Sequence, residues 1–392
     1  MLRVSVNRLR PGTMLARDLY DAQGNMLLRA KVPLTEGYIE SLIRRGFTAV
    51  YIYDRDTNDV DIQETVSEHV RLRARVTVQE VYEVARKAIT DAVEQRESVT
   101  SAVQSGAANL VKAEPLFKQL ESIVQAILRE MASTDMLSGI AEIRSHDDRT
   151  FGHSIEVSIT ALMIGKRLYM TERELVKLGT GCILHDIGKL FVDKEILRRR
   201  GPLNKREYGK LKQHTSLGYQ LLKTRNPDTV LINHVAFQHH ERQDGRGYPR
   251  GLRGTNTFHR RTLDTNRHIL PFAEIASVAD VYDTLSSERP GKPSLAPQTI
   301  QSIMREMSGA ILNADITHHF LSMLPLFPVG IGVVVKTGFY KGYRGIVIRA
   351  NPRYPDRPAI RLLYDDAMER IAPVELNLSR EPGILVSTVQ QL

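Results

Sequence analysis

Between Gly181 and Asp283 the chain spaces imidazoles and carboxylates in a way that forces a fold to bring them together. The segment reads Cys182-Ile-Leu-His185-Asp186-Ile-Gly-Lys189, then His214 with Gly218, then His239-His240-Glu241 running into Asp244-Gly-Arg-Gly247-Tyr248-Pro249, and finally Asp280. Asp280 lies among the alanines and valines of Ala276-Ser-Val-Ala-Asp-Val-Tyr-Asp283, where an acid is costly to bury unless something binds it. Helical segments carrying His-Asp, a single His and His-His can aim all these groups into one bundle interior. The pattern predicts a helical bundle with a metal site inside it.

Neighbouring residues on a helix point about 100° apart, because a turn holds about 3.6 residues. His185 and Asp186 can therefore both ligate if two ions lie side by side and the carboxylate bridges them. His239-His240 repeats this arrangement, and His153, early in Gly152-His-Ser-Ile-Glu-Val-Ser-Ile-Thr-Ala-Leu, offers a further imidazole. Gly218, one turn after His214, allows close helix approach. These five His and two Asp are enough for two octahedral-like ions. Imidazole with carboxylate suits Fe, Mn or Zn and argues against a cysteine-based structural zinc. A single histidine is more often an ordinary core or surface residue, and His69, His146, His234, His259, His268, His318 and His319 are read that way. The His318-His319 pair, with no acid or glycine pattern after it, is expected to end a helix.

Around this centre the chain divides into four stretches. Residues 1–66 read as a small α+β regulatory unit: short strands around the Asp21–Gly24 turn, a helix capped by Thr35 and stopped by Gly46, and a closing strand at Ala49-Val-Tyr-Ile-Tyr. Residues 67–133 are charged and helix-compatible, with Val78, Val81, Ala85, Ala88 and Ala92 at helical spacing and a Ser/Gly/Ala-rich stretch from Ser98 to Ala107 that reads as a loop. These helices either link the first unit to the centre, form a homodimer, or pack as a subdomain on the core. Residues 134–324 hold the motifs. Past Pro325 and Pro328 the pattern turns to β alternation, so residues 325–392 should form a small, barrel-like β unit.

A chain of 392 residues is too long for one compact core. No apolar run approaches the length a membrane span requires, and the N-terminus Met1-Leu-Arg-Val-Ser lacks a signal core; a cytoplasmic protein with no membrane partner is expected. A single cysteine, Cys182, excludes an internal disulfide framework and reads as a buried small hydrophobe. The net charge of +9 is scattered rather than gathered in a tract, which suits solubility or an anionic small ligand better than nucleic acid. Salt-sensitive binding of DNA or RNA by the basic, Tyr-bearing tail is the weaker alternative.

The matches His185-Asp186-Ile-Gly-Lys189, His214-x-x-x-Gly218, His239-His240-Glu241, Asp244-Gly-x-Gly247-Tyr248-Pro249 and Ala279-Asp280-Val-Tyr-Asp283 resemble the HD-GYP subfamily of HD-domain phosphohydrolases, in the family's order across residues 145–324. The resemblance implies a mainly α protein with an HD-type helical catalytic domain, flanked here by a small α+β N-terminal domain and a small β C-terminal domain. It implies hydrolysis of cyclic di-GMP to pGpG and/or GMP. It makes His153, His185, Asp186, His214, His239, His240 and Asp280 the metal ligands, with Asp186 bridging. Two divalent ions are expected, Fe or Mn ahead of Zn, Mg or Ni. Lys189 would face the site and act beside Asp186 in catalysis, while Arg289 and Lys292 would meet substrate phosphates. Tyr248 would contact substrate or a protein partner, or form a structural turn.

Four features depart from the family pattern. Arg149 stands where three-metal members carry Glu, hence the expectation of two ions. An insertion separates Gly254 from Ile269 and offers a lid, a dinucleotide contact or a disordered loop. Glu274 replaces a frequent Arg, and Gly291 and Pro293 replace bulkier residues. These leave open a second class of function, a cyclic-dinucleotide receptor that holds metal and ligand with little turnover.

Overall fold

Helices run through the middle of the chain, and short strands lie at both ends. The computed structural model describes residues 1–392 apart from 22–24, 48, 63, 95–97, 134–148, 200, 224–229, 260–266, 288–294, 352 and 390–392.

The N-terminal unit contains β1 (Leu2–Ser5), β2 (Leu19–Tyr20), β3 (Met26–Leu28), α1 (Glu36–Arg44) and β4 (Ala49–Ile52). β1 pairs antiparallel with β4, and β2 with β3. Thr35 caps α1, its Oγ1 accepting from the Tyr38 amide. Val6, Leu15, Leu34, Leu42 and Val50 form the core of the unit.

Helices α2 (Glu68–Glu94), α3 (Val99–Lys112) and α4 (Glu114–Glu130) follow. The expected loop from Ser98 to Ala107 is instead most of α3. Ser98 caps it, and Ala102, Val103, Gly106, Ala107 and Leu110 present a small-residue stripe that is buried; the small residues that suggested a loop serve close helix packing. Val78, Val81 and Ala85 of α2 are fully buried.

The remaining helices are α5 (Arg149–Arg167), α6 (Glu172–Leu184), α7 (Lys194–Arg198), α8 (Lys205–Lys223), α9 (Val230–Gln238), α10 (Pro271–Ser286), α11 (Pro297–Met307) and α12 (Ala314–Met323). A Thr171/Glu174 capping box starts α6, an arrangement worth about 1 kcal/mol. One hydrophobic core runs from Val66 on through α2–α6 and α8–α12 to Leu324, so α2–α4 pack on the bundle that carries the motifs. His318 and His319 lie inside α12 rather than at its end, because Asn313 caps that helix and it runs on to Met323. No helix among the described residues is long and apolar enough to cross a membrane.

The last unit is a five-stranded antiparallel sheet of β5 (Gly332–Val335), β6 (Arg344–Arg349), β7 (Ala359–Tyr364), β8 (Arg370–Asn377) and β9 (Val386–Val389), in the order β8-β7-β6-β5-β9. It is an open sheet with β8 and β9 at its edges, not a barrel. Leu2, Tyr51, Val60 and Ile62 share an apolar cluster with Ile346 and Leu363, so the two ends of the chain pack together. Arg361 of β7 grips Asp59 with both guanidinium arms, at 2.6 and 2.7 Å, and Arg370 of β8 reaches Asp54 at 2.7 Å. Each pair is half-buried, one partner being sheltered and the other open to solvent, and a planar two-armed contact fixes orientation.

Candidate metal centre

Each cluster residue is placed by a helix or by the turn that ends one. His153 is in the first turns of α5, His214 in α8 and Asp280 in α10. His185 closes α6, and Asp186 begins the 3-10 turn Ile187–Phe191 that carries Lys189. His239 and His240 follow the last residue of α9. Both doublets thus stand just beyond helix ends rather than inside helices. Close backbone contact draws these elements inward: a Cβ on Gly188 would lie 1.9 Å from the His214 carbonyl oxygen, and one on Gly218 would lie 3.2 Å from the Gly188 nitrogen. The close approach expected from Gly218 is therefore present, and Gly188 is its partner.

Three sets of inward atoms lie within 4.8 Å of one another: His153, His185 and Asp280; His214, His239 and His240; and His185, Asp186 and His239. Asp186 is the junction. Its Oδ2 lies 3.4 Å from His185 Nε2 and 3.9 Å from His153 Nε2. Its Oδ1 faces the other way, 3.5 Å from His214 Nε2 and 3.8 Å from His239 Nε2. Asp280 Oδ1 is 3.2 Å from His153 Nε2. The Lys189 ammonium donates to Asp186 Oδ2.

The outer nitrogens decide which nitrogen faces in. His185 Nδ1 donates to the Cys182 carbonyl at 2.6 Å and His214 Nδ1 to Leu211 at 2.6 Å. His239 Nδ1 is shared between Val235 and Ala236 at 3.0 and 3.1 Å. His153 Nδ1 donates to Asp283 Oδ2 at 2.7 Å. Spending the Nδ1 proton outward leaves the Nε2 lone pair pointing in, the tautomer a metal ligand needs.

Charge follows from burial and neighbours. Burial lowers the pKa of His214 and His239, and brings that of His240 down to about 3, so these three are neutral at neutral pH. Burial opposes the charge on His153 too, but its bonds to Asp280 and Asp283 outweigh it and raise its pKa to about 9. Asp186 and Asp280 are held well below the carboxylate range, because the surrounding His and Lys charges outweigh desolvation.

This donor set fits a divalent ion. Asp186 Oδ1 is buried without a hydrogen-bond partner, and an unpaired buried acceptor costs about 1–3 kcal/mol, more when charged. A cation between Oδ1 and the imidazoles supplies what the protein does not. Among the described residues, the metal-competent groups come from these seven side chains.

Tyr248 stands beside the cluster, its ring tilted against that of His240 with centroids 4.8 Å apart. Arg289 and Lys292 lie outside the described residues, as does His146. Cys182 is buried, as expected. The first part of the insertion is anchored: Asn256 N donates to Gln243 Oε1 at 3.0 Å and Phe258 N to Asp315 Oδ2 at 3.0 Å.

Sequence reasoning gave no role to Asp283 or Glu241. Asp283 carried a signal, since it lies three residues after Asp280 and so shares its helix face. Glu241 accepts the Arg250 and Leu252 amides at 2.7 and 2.8 Å and closes the loop that holds Tyr248.

A model of the HD domain matches residues 107–316, a span that includes all seven clustered side chains. Among curated proteins, a cyclic di-GMP phosphodiesterase of Pseudomonas aeruginosa is 26% identical over 62% of this chain and 54% of its own. A cyclic di-GMP phosphodiesterase of Thermotoga maritima is 31% identical over 54% of this chain and 52% of its own. The 3′3′-cGAMP-specific phosphodiesterase 3 of Vibrio cholerae is 32% identical over 40% of this chain and 31% of its own. The chain spans about half the length of the first two and less of the third.

Proposed function

Because the chain belongs to the HD-domain family, we propose that it is a metal-dependent phosphodiesterase that hydrolyses cyclic di-GMP to pGpG and/or GMP. The observation that carries this reading is the division of Asp186, whose two carboxylate oxygens face two separate groups of imidazoles. Two divalent ions are assigned. His153, His185 and Asp280 would hold one, His214, His239 and His240 would hold the other, and Asp186 would serve both. Nitrogen and oxygen donors favour Fe or Mn, with Zn, Mg and Ni behind. When bound, such ions activate water and offset charge on the phosphoryl oxygens.

The chain's own groups do the rest. Lys189, with its side chain 30% exposed, donates to Asp186 Oδ2, where it orients the attacking water or protonates the departing 3′ oxygen. Arg289 and Lys292 are assigned to the substrate phosphates, where a guanidinium fork suits two oxygens. Names of the relatives include both cyclic di-GMP and 3′3′-cGAMP enzymes, so both nucleotides belong in the test.

Metal content and turnover of each cyclic dinucleotide are measured on one anaerobically purified sample. About two Fe or Mn per chain with a linear product is the expected result. Product from 3′3′-cGAMP but not from cyclic di-GMP would change the substrate. Metal and bound nucleotide with no product would replace the enzyme by a receptor.

A further inference from the structure

One clustered imidazole is held differently from the rest. His153, His185, His214 and His239 each donate Nδ1–H to a carboxylate or carbonyl, whereas His240 makes no such bond among the described residues. Its ring lies against Tyr248 instead, with centroids 4.8 Å apart and planes only 31° from parallel. Tyr248 N also donates to the His240 carbonyl at 3.1 Å, so ring and backbone are fastened together.

The loop is shaped to deliver that ring. A Cβ on Gly247 would lie 2.4 Å from the Arg242 nitrogen and 2.6 Å from the His240 carbonyl oxygen, so only glycine lets the chain fold back this far. From outside, α8 grips the tyrosine: Lys212 Nζ lies 5.1 Å from the Tyr248 centroid and 4.7 Å from that of Tyr208. Tyr208 meets Tyr248 edge-on at 6.4 Å. An ammonium over two aromatic faces restrains both rings.

We propose that Tyr248 is a positioning residue for His240, its ring laid against the imidazole and clamped by Lys212 and Tyr208, taking the place of the hydrogen bond that orients each other imidazole. The tyrosine of the Gly-Tyr-Pro loop then acts on the metal centre through the face of its ring, not through its hydroxyl. The inference rests on His240 being a metal ligand, and its test uses no nucleotide, so it stands apart from the choice of substrate.

Mn(II) alone is titrated into the full metal-free chain by calorimetry, with melting curves to check folding. Tyr248→Ala should weaken one of the bound ions by roughly 10- to 100-fold, the usual effect of removing a group that orients a ligand. Tyr248→Phe should bind as the parent does. Lys212→Met should weaken the same ion by a smaller factor. His240→Ala marks which ion is concerned, and adding Tyr248→Ala to it should cause no further loss.

The proposal is overturned if Tyr248→Ala binds both ions as tightly as the parent, or if Tyr248→Phe loses as much as Tyr248→Ala. If Tyr248→Ala does not fold, Lys212→Met decides, and unchanged affinity there overturns the proposal. A parent chain that binds no Mn(II) removes the metal centre itself, and this inference with it.

Discussion

On one side of Asp186, carboxylates surround the imidazoles: His153 lies between Asp280 and Asp283, with His185 beside it. On the other side, His214, His239 and His240 meet one another and Tyr248; Asp186 and Asp280 lie near enough to act on His240, but burial outweighs them. The first half holds a proton on His153 up to a pKa of about 9. The second half keeps His240 neutral down to about pH 3. Similar donors thus form two groups that hold protons in opposite ways, because directly bonded acids stabilise the imidazolium of His153 whereas burial prevails over the acids around His240.

The largest effect should come from the group that the halves share. Asp186→Ala removes a donor from both, and metal content should fall below that of any single-half variant. Turnover should drop by roughly 10³-fold or more. A variant that kept both ions would break the comparison at its centre.

Next comes pH. His153 must lose its proton to ligate, so raising pH from 7 to 9 removes the competing proton from about half of the molecules, and affinity of the first half should rise by about 50-fold, nearly tenfold over the first unit and less over the second. The second half should stay flat across that window. Two ions with the same pH dependence in a Mn(II) titration would erase the distinction.

Asp283→Asn sharpens the contrast. The amide oxygen still accepts from His153 Nδ1, but the charge is gone, so the pH midpoint of the first half should fall by roughly one to two units. An unmoved midpoint would assign the proton to Asp280 alone.

A last effect concerns stability rather than metal. Glu274 lies on α10 with Asp280 and Asp283, yet burial beside the neutral Gln243 raises its pKa to about 7. The folded state holds this proton more tightly than the unfolded chain does. Stability therefore falls as pH rises from the ordinary glutamate value through about 7, by on the order of 3 kcal/mol. Glu274→Gln should flatten the melting temperature across that range. If the variant still loses stability from pH 5 to 8 as the parent does, the carboxylate is not the cause.

Much of this centre was legible beforehand because its donors are chemically distinctive and fall in helix-sized steps. His185, Asp186, His214, His239, His240 and Asp280 could be picked out without coordinates, and so could the contact at Gly218. The stretch from Ser98 to Ala107 misled because alanine, serine and glycine suit both a loop and a closely packed helix. Burial against the bundle decides between them, and burial is not a local property. Asp283 was visible but had no role, since its partner His153 is 130 residues away.

The sequence by itself determined the donor types, their order and the helical periodicity that carries them, because these depend on residue chemistry and on neighbours within a turn or two. Only the tertiary structure decided that Asp186 divides its oxygens between two imidazole groups, that Asp283 holds His153, and that Tyr248 lies against the ring of His240. It alone joined the two ends of the chain through Arg361 and Asp59. Each of these depends on the distance between elements far apart in the chain, which is set by how side chains fill the space between helices and not by any pattern along one of them.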